Sequence, residues 1–337
     1  MKLRFHEFDL PLRHAFTISR SSHRVQKTLI VELREGGLAG YGEATVNPYY
    51  GFSVESMKGA LESVRPALEG RSIDDPAGLW AELNPRLADN PFAQCALDEA
   101  AHDLWGKVRG KPVYLLWGLT ADRLPPTNYT IGIDAIDVMI AKLREFPGWP
   151  VYKIKLGTAD DLEIVRALRR VTDSPFRVDA NCGWRVDETI RNARELQTLG
   201  VEFIEQPLPA DDWAGMKRAR AESPLPLVAD ESCQREADVD CCDGHFDGVN
   251  IKLVKCGGLT PARRMIDRAR RLGMKVMVGC MTESTVGISS IAQLLPLLDY
   301  VDMDGPLLLA QDIATGVSID NGQAVYADEN GCGVRLL

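Results

Sequence analysis

Three absences narrow what this chain can be. It has no run of about 18 or more apolar residues, so no membrane-spanning helix is expected. Its eight cysteines, at 95, 182, 233, 241, 242, 256, 280 and 332, include no C-x-x-C pair. Zinc-type spacing is therefore excluded. These cysteines read as reduced thiols acting as small apolar residues, with vicinal Cys241-Cys242 as the redox-sensitive candidate. Nor is there a basic excess. Lys and Arg number 39 against 48 Asp and Glu, a net charge of -9. That balance argues against a nucleic-acid partner, which wants a basic face. Charges at Lys2 and Arg4, with no apolar stretch of signal length behind them, make a signal peptide unexpected, and a cytoplasmic location is the simple reading.

What is present fits a globular protein with a large core. Apolar residues make up 45% and charged residues 26% of 337 residues, enough for a large barrel plus a smaller domain. The first third reads as three strands followed by helices. Met1 to Asp9, Lys27 to Arg34 and Leu38 to Ala44 read as strands, the last two joined at Gly36-Gly37. Ser53 to Leu68, Pro76 to Leu87 and Pro91 to Val108 read as helices, and Pro125-Pro126 as a linker. This predicts an α+β domain over 1–122.

From Thr127 short apolar strands alternate with amphipathic helices. The strands are expected at 128–133, 151–156, 176–180, 201–206, 225–230, 248–254, 275–280 and 300–304, and reference positions 153, 179, 205, 230 and 252 recur at steps of 22 to 26 residues. An α/β fold of the modified TIM (β/α)7-8 barrel type over 123–305 follows. Residues 306–337 fall outside the repeat and are expected to return to the first domain.

Charged residues stand at or near the C-terminal ends of six of these strands, where apolar residues belong. That rim is where barrel active sites are assembled, and a buried charge is costly unless paired or metal-bound. Asp179, Glu205 and Asp230 come from consecutive strands about 4.8 Å apart. A strand-end cap or an ion pair would explain any one of them alone. Three in register repel one another, and a magnesium ion bound by oxygen ligands removes the repulsion. Lys153 and Lys155 face the same side of one strand, and Lys252 comes from across the barrel. Side by side near a metal, such ammonium groups are expected to lower one another's pKa and serve as acids and bases. Asp302 and Asp304, also two apart, suit a ligand ammonium, although Asp304-Gly305 is also a common turn pair.

The Lys153-Ile154-Lys155 pair, Asp179-Ala180-Asn181, Glu205-Gln206-Pro207, Ala229-Asp230-Glu231-Ser232 and Asn250-Ile251-Lys252 with Gly257-Gly258 occur in the order seen in the enolase superfamily. The chain resembles its muconate-lactonising subgroup over nearly its whole length. The resemblance implies a capping domain on a modified barrel, Mg2+ on Asp179, Glu205 and Asp230, Lys155 and Lys252 as the two acid/base residues, and Lys153 supporting the substrate carboxylate. Asp302-Met303-Asp304 looks like the Asp-x-Asp of dipeptide epimerases, which holds an α-ammonium, and Thr130 resembles a substrate-contacting position there. A small-molecule dipeptide substrate is thus implied. In family members acting on Ala-Glu, an arginine of the first cap loop binds the acidic side chain. That loop, Thr17 to Gln26, carries Arg20, His23 and Arg24 here; the matching position looks like His23, with Arg24 beside it. The second cap loop, Asn47 to Ser53, is expected over the substrate.

The leading expectation is a dipeptide epimerase, with L-Ala-D/L-Glu as the expected substrate and murein peptide recycling as the setting that this substrate would imply. The alternatives are a cycloisomerase, o-succinylbenzoate synthase or N-acylamino acid racemase of the same superfamily. A Schiff-base aldolase would leave the three carboxylates unexplained, and a non-catalytic binding protein would leave gaps among the six rim positions. Barrels of this kind often form homo-oligomers, and no segment marks an interface.

Overall fold

In the computed structural model, which describes residues 1–337, strand β1 spans Lys2–Ile18 and β2 spans Ser21–Glu35. They pair antiparallel from Lys2↔Arg34 to Ile18↔Ser21. The hairpin is far longer than expected. The segment 17–26, read as a loop, is mostly paired strand around a turn at Ser19-Arg20. Alternating apolar residues continue past Leu10 at Leu12, Phe16 and Ile18, but the returning arm, Ser21 to Lys27, carries only Val25, because this part of the hairpin stands clear of the core. β3 (Leu38–Thr45) follows through Gly36-Gly37, both at positive φ as a tight two-residue hairpin turn requires.

Three helices cover this sheet. α1 (Val54–Leu68) starts at a Ser53 capping box, α2 (Pro76–Leu87) has proline in its first turn, and α3 (Pro91–Arg109) is capped by Asn90 and ends at left-handed Gly110. The backbone of α3 lies directly on β3. A Cβ at Gly42 would fall 2.1 Å from the Ala96 carbonyl oxygen, so only glycine permits the approach. The edge of β3 is satisfied by α3 itself, since Tyr41 N–H donates to Asp103 and Glu43 N–H to Glu99, both at 2.9 Å. After the short α4 (Val113–Leu116), no element intervenes before Tyr129, across the stretch that holds Pro125-Pro126.

The barrel strands are β4 (Tyr129–Ile131), β5 (Tyr152–Lys155), β6 (Phe176–Asp179), β7 (Val201–Glu205), β8 (Leu227–Ala229), β9 (Gly248–Lys252), β10 (Lys275–Gly279) and β11 (Tyr300–Asp302). They form one eight-stranded parallel sheet in sequence order, and a bridge between Thr127 and Val301 draws its two edges together. All eight lie where the apolar runs put them, shortened by no more than two residues at either end. Helices α5 (Ile136–Glu145), α6 (Asp161–Arg169), α7 (Val186–Thr198), α8 (Trp213–Glu222), α9 (Glu236–Cys242), α11 (Leu259–Arg271) and α12 (Thr285–Ala292) alternate with them, and a single turn, α10 (Leu253–Cys256), leads out of β9. Beyond Gly305 the chain runs back over the first elements. Ala310 N–H donates to the Pro11 carbonyl at 2.8 Å, and Val113 N–H to that of Gly331 at 2.9 Å. One apolar core of 80 buried residues joins the helices over the first sheet to the barrel, so the two halves pack as one body. No helix is long and apolar enough to cross a membrane.

Candidate active site

Strand register alone lines up the rim. Lys155 pairs with Asp179 and Asp179 with Glu205, while Gly279 pairs with Lys252 on one side and Asp302 on the other. Asp230 follows β8 by one residue. The carboxylate oxygens of Asp179, Glu205 and Asp230 come within 4.8 Å of one another, all buried. Three of the four non-glycine residues at positive φ, Asn181, Cys182 and Gln206, follow directly after β6 and β7. Backbone strain thus sits beside two of the three carboxylates.

Each of the three has one oxygen anchored. Asp179 Oδ1 accepts the Asn181 N–H at 2.9 Å, Glu205 Oε1 accepts Asn250 Nδ2 at 2.8 Å, and Asp230 Oδ1 accepts Lys255 Nζ at 2.5 Å. The other oxygens face the lysines: Asp179 Oδ2 lies 2.6 Å from Lys155, Glu205 Oε2 2.8 Å from Lys153, and Asp230 Oδ2 3.0 Å from Lys252. The Lys153 contact to Glu205 Oε2 lacks hydrogen-bond alignment, and that oxygen is an unsatisfied buried acceptor. So are Asn128 Oδ1, Asn181 Oδ1, Glu231 Oε2 and Asn250 Oδ1. Buried acceptor oxygens without donors gather around this rim, and that donor set fits a hard divalent cation.

Lys153 is completely buried, with Asp302 and Glu205 at 2.8 Å and Asp179 at 3.3 Å. Burial pulls its pKa down, yet these carboxylates hold it well above the ordinary lysine value. Burial likewise lowers Lys252, but Asp230 raises it further, and the net direction is up. At Lys252 the lowering by a neighbouring ammonium, here Lys153, is therefore outweighed by the acids around it. Glu205 is pushed up to about 7 by burial and by Asp179. Asp230 is raised by burial and lowered more strongly by Lys252 and Lys255, and ends well below the usual range.

Asp302 and Asp304 are unequal partners. Asp302 accepts Lys153 Nζ and Asn128 Nδ2, each at 2.8 Å. Burial raises its pKa, but Lys153 and Lys155 hold it below the ordinary value. Asp304 accepts the Thr130 N–H at 2.5 Å and is raised well above the usual range by burial and by Asp302. The Cys280 thiol lies within 4.8 Å of both carboxylates.

A cavity of about 770 Å³ opens onto this rim, with Thr130, Lys155, Asp230, Lys252, Asp302 and Asp304 in its wall. Asp179, Glu205 and Lys153 lie just behind that wall. The hairpin tip and the loop 47–50 form the roof, contributing Phe16, His23, Tyr49 and Tyr50 among others. Arg20 is committed elsewhere. It donates to Glu231 at 2.7 Å and to the Asn181 carbonyl at 3.1 Å, and stacks 4.1 Å from the centre of the Tyr49 ring. It thereby ties both roof segments to the barrel. His23 is half-buried, and burial lowers its pKa. Arg24 is exposed and does not border the cavity. Sequence reasoning assigned no role to Lys255 or Asn250. Their signal was their spacing, three after and two before Lys252.

A capped parallel barrel carrying three clustered carboxylates between lysines of opposite strands defines a class of proton-transfer enzymes. The chain belongs to the mandelate racemase/muconate lactonizing enzyme family: that N-terminal domain matches residues 3–118, and the enolase C-terminal domain-like region matches 138–337. It is 57% identical over 337 residues, all of both chains, to an L-Ala-D/L-amino acid epimerase of Flavobacterium johnsoniae. Its fold overlays that of a substrate-liganded L-Ala-D/L-Glu epimerase from Bacillus subtilis with a TM-score of 0.94, at 28% identity and 99% of each chain. A dipeptide epimerase from Methylococcus capsulatus, complexed with Mg and the dipeptide L-Arg-D-Lys, matches at TM-score 0.91 and 34% identity over 99% of each chain.

Proposed function

We propose that the protein is a magnesium-dependent dipeptide epimerase. It moves the proton at the α-carbon of the C-terminal residue by 1,1-transfer through an enediolate, with L-Ala-D/L-Glu as the leading substrate. One observation carries the reading: Lys155 and Lys252 both line a single cavity from β5 and β9, four strands apart in an eight-stranded barrel. The relatives named as dipeptide epimerases support it.

On this reading Asp179, Glu205 and Asp230 would hold Mg2+, which would supply positive charge to stabilise a substrate carboxylate. Lys155 takes the proton on one face and Lys252 returns it on the other; the reverse reaction exchanges their roles. Lys155 rests on Asp179 and Lys252 on Asp230, and each reaches the substrate once that contact is given up. Lys153 lends charge to the substrate carboxylate. Asp302 and Asp304 take the α-ammonium, which supplies the cation that lets Asp304 ionise beside Asp302. Thr130, bonded to Asp304, lines the same end. The roof excludes water. Arg24 requires movement of the hairpin tip to reach a substrate. Residues 1–122 act as the cap, 123–305 as the catalytic barrel and 306–337 as the segment that ties them together. A cytoplasmic role in peptidoglycan peptide metabolism follows from an Ala-Glu substrate.

The test is incubation with Mg2+ and a panel of L-Ala-L-Xaa dipeptides in D₂O, read as a gain of one mass unit. Exchange in one or a few dipeptides supports the reading. No exchange in any, with exchange in N-acylated amino acids instead, would sink it.

A further inference from the structure

Asp179 and Asp230 are each held by two lysines, but only on Asp230 do the two take different oxygens, and they differ in kind. Lys252, the last residue of β9, approaches Oδ2 at 3.0 Å and lines the cavity. Lys255 is carried by α10 to the far side. Its side chain is completely buried, it does not border the cavity, and no step of the proposed reaction uses it.

The ammonium of Lys255 is saturated. It donates to Asp230 Oδ1 at 2.5 Å, to the Asp230 carbonyl at 2.5 Å and to the Cys233 carbonyl at 2.9 Å. These three acceptors match the three donors of an ammonium, and the Asn250 carbonyl lies further off at 3.5 Å. A buried ammonium so held has nowhere else to go, because leaving would cost its desolvation without a partner. The two carbonyls bracket the turn Asp230–Cys233, closed by Cys233 N–H on the Asp230 carbonyl at 3.0 Å. One side chain thus fixes both the carboxylate and the backbone that carries it.

We propose that Lys255 is a positioning residue for the cation site, an inference that rests on the reading of Asp230 as a metal ligand. It locks Asp230 with Oδ1 turned away from the cavity and Oδ2 turned toward it. It also serves as the permanent counter-charge of Asp230, which frees Lys252 to leave that carboxylate and act on substrate. Without Lys255, Oδ1 has no donor and Lys252 becomes the sole cation on Asp230.

The experiment measures Mg2+ binding by titration calorimetry to wild type, Lys255→Met and Lys255→Gln, with circular dichroism to establish folding. Groups that orient a metal ligand typically contribute about 10–100-fold in affinity, and a loss of that size is expected in both variants. Folded variants that bind Mg2+ within about twofold of wild type would overturn the proposal. Should neither variant fold, a crystal structure of the wild type with Mg2+ decides. Lys255 Nζ is expected to remain on Asp230 Oδ1 while Lys252 has left Oδ2, and the reverse arrangement refutes the assignment. A wild-type protein that binds no Mg2+ overturns the metal reading itself, and this inference with it.

Discussion

Replacing Glu283 by glutamine should stabilise the protein at alkaline pH and hardly affect it in acid. Glu283 lies in the loop after β10, buried where the barrel meets the cap, and accepts the Met281 N–H at 2.8 Å. Glu43 from β3 and Glu99 from α3 are buried acids of the same seam, with Lys252 and Asp302 further off. Burial first, and then Glu43, pushes Glu283 from 4.5 up to about 8. A carboxyl whose folded pKa is raised binds more protons folded than unfolded between the two values. Its stability is therefore complete below about pH 4.5 and is lost as pH rises through about 8. At about 1.4 kcal/mol per pH unit, the full loss approaches about 5 kcal/mol, of which about 3 kcal/mol falls between pH 5.5 and 8. Glutamine has the same shape, can accept the same N–H and never ionises. Urea unfolding of both proteins in EDTA at the two pH values measures the difference. The variant should gain about 3 kcal/mol on the wild type between them. A difference that does not change with pH would refute the reasoning.

Three further outcomes are expected. Gly42→Ala forces a Cβ to 2.1 Å from the Ala96 carbonyl oxygen and should destabilise by about 3 kcal/mol or more, read as a lowered melting temperature. Asp302→Asn removes the charge facing the ammonium end and should lower kcat/KM for free-amine dipeptides by about 30-fold or more, the equivalent of about 2 kcal/mol or more; unchanged kinetics would place the ammonium elsewhere. Arg20→Ala leaves Glu231 buried without its cation and unties the roof. It should raise KM and expose the hairpin tip to limited proteolysis, whereas an unchanged digestion pattern would show that the roof is held by other contacts.

The barrel was legible because its strands are buried on both faces and recur at a fixed step. The charges at their ends stood out against apolar runs, and register did the rest: Asp179 and Glu205 are paired residues of adjacent strands. The hairpin arm was not legible, because its returning strand, Ser21 to Lys27, is held by pairing and carries only Val25 as an apolar residue. Spacing along β5 showed that Lys153 and Lys155 are neighbours, but not that acids from other strands press on Lys153 from three directions. The same limit hid Lys255, whose partners are 22 and 25 residues away in sequence. It also hid the commitment of Arg20 to Glu231, 211 residues away. A loop of basic residues reads as available for an acidic ligand until the partners of each are known.

The central claim is that two lysines on opposite walls each serve one face of the substrate. It is tested most directly by incubating Lys155→Ala and Lys252→Ala separately with each epimer of an accepted dipeptide in D₂O and following α-deuterium. Each variant should incorporate deuterium into one epimer only, without inversion, and the two variants should select opposite epimers. A variant that exchanges both epimers would contradict the account.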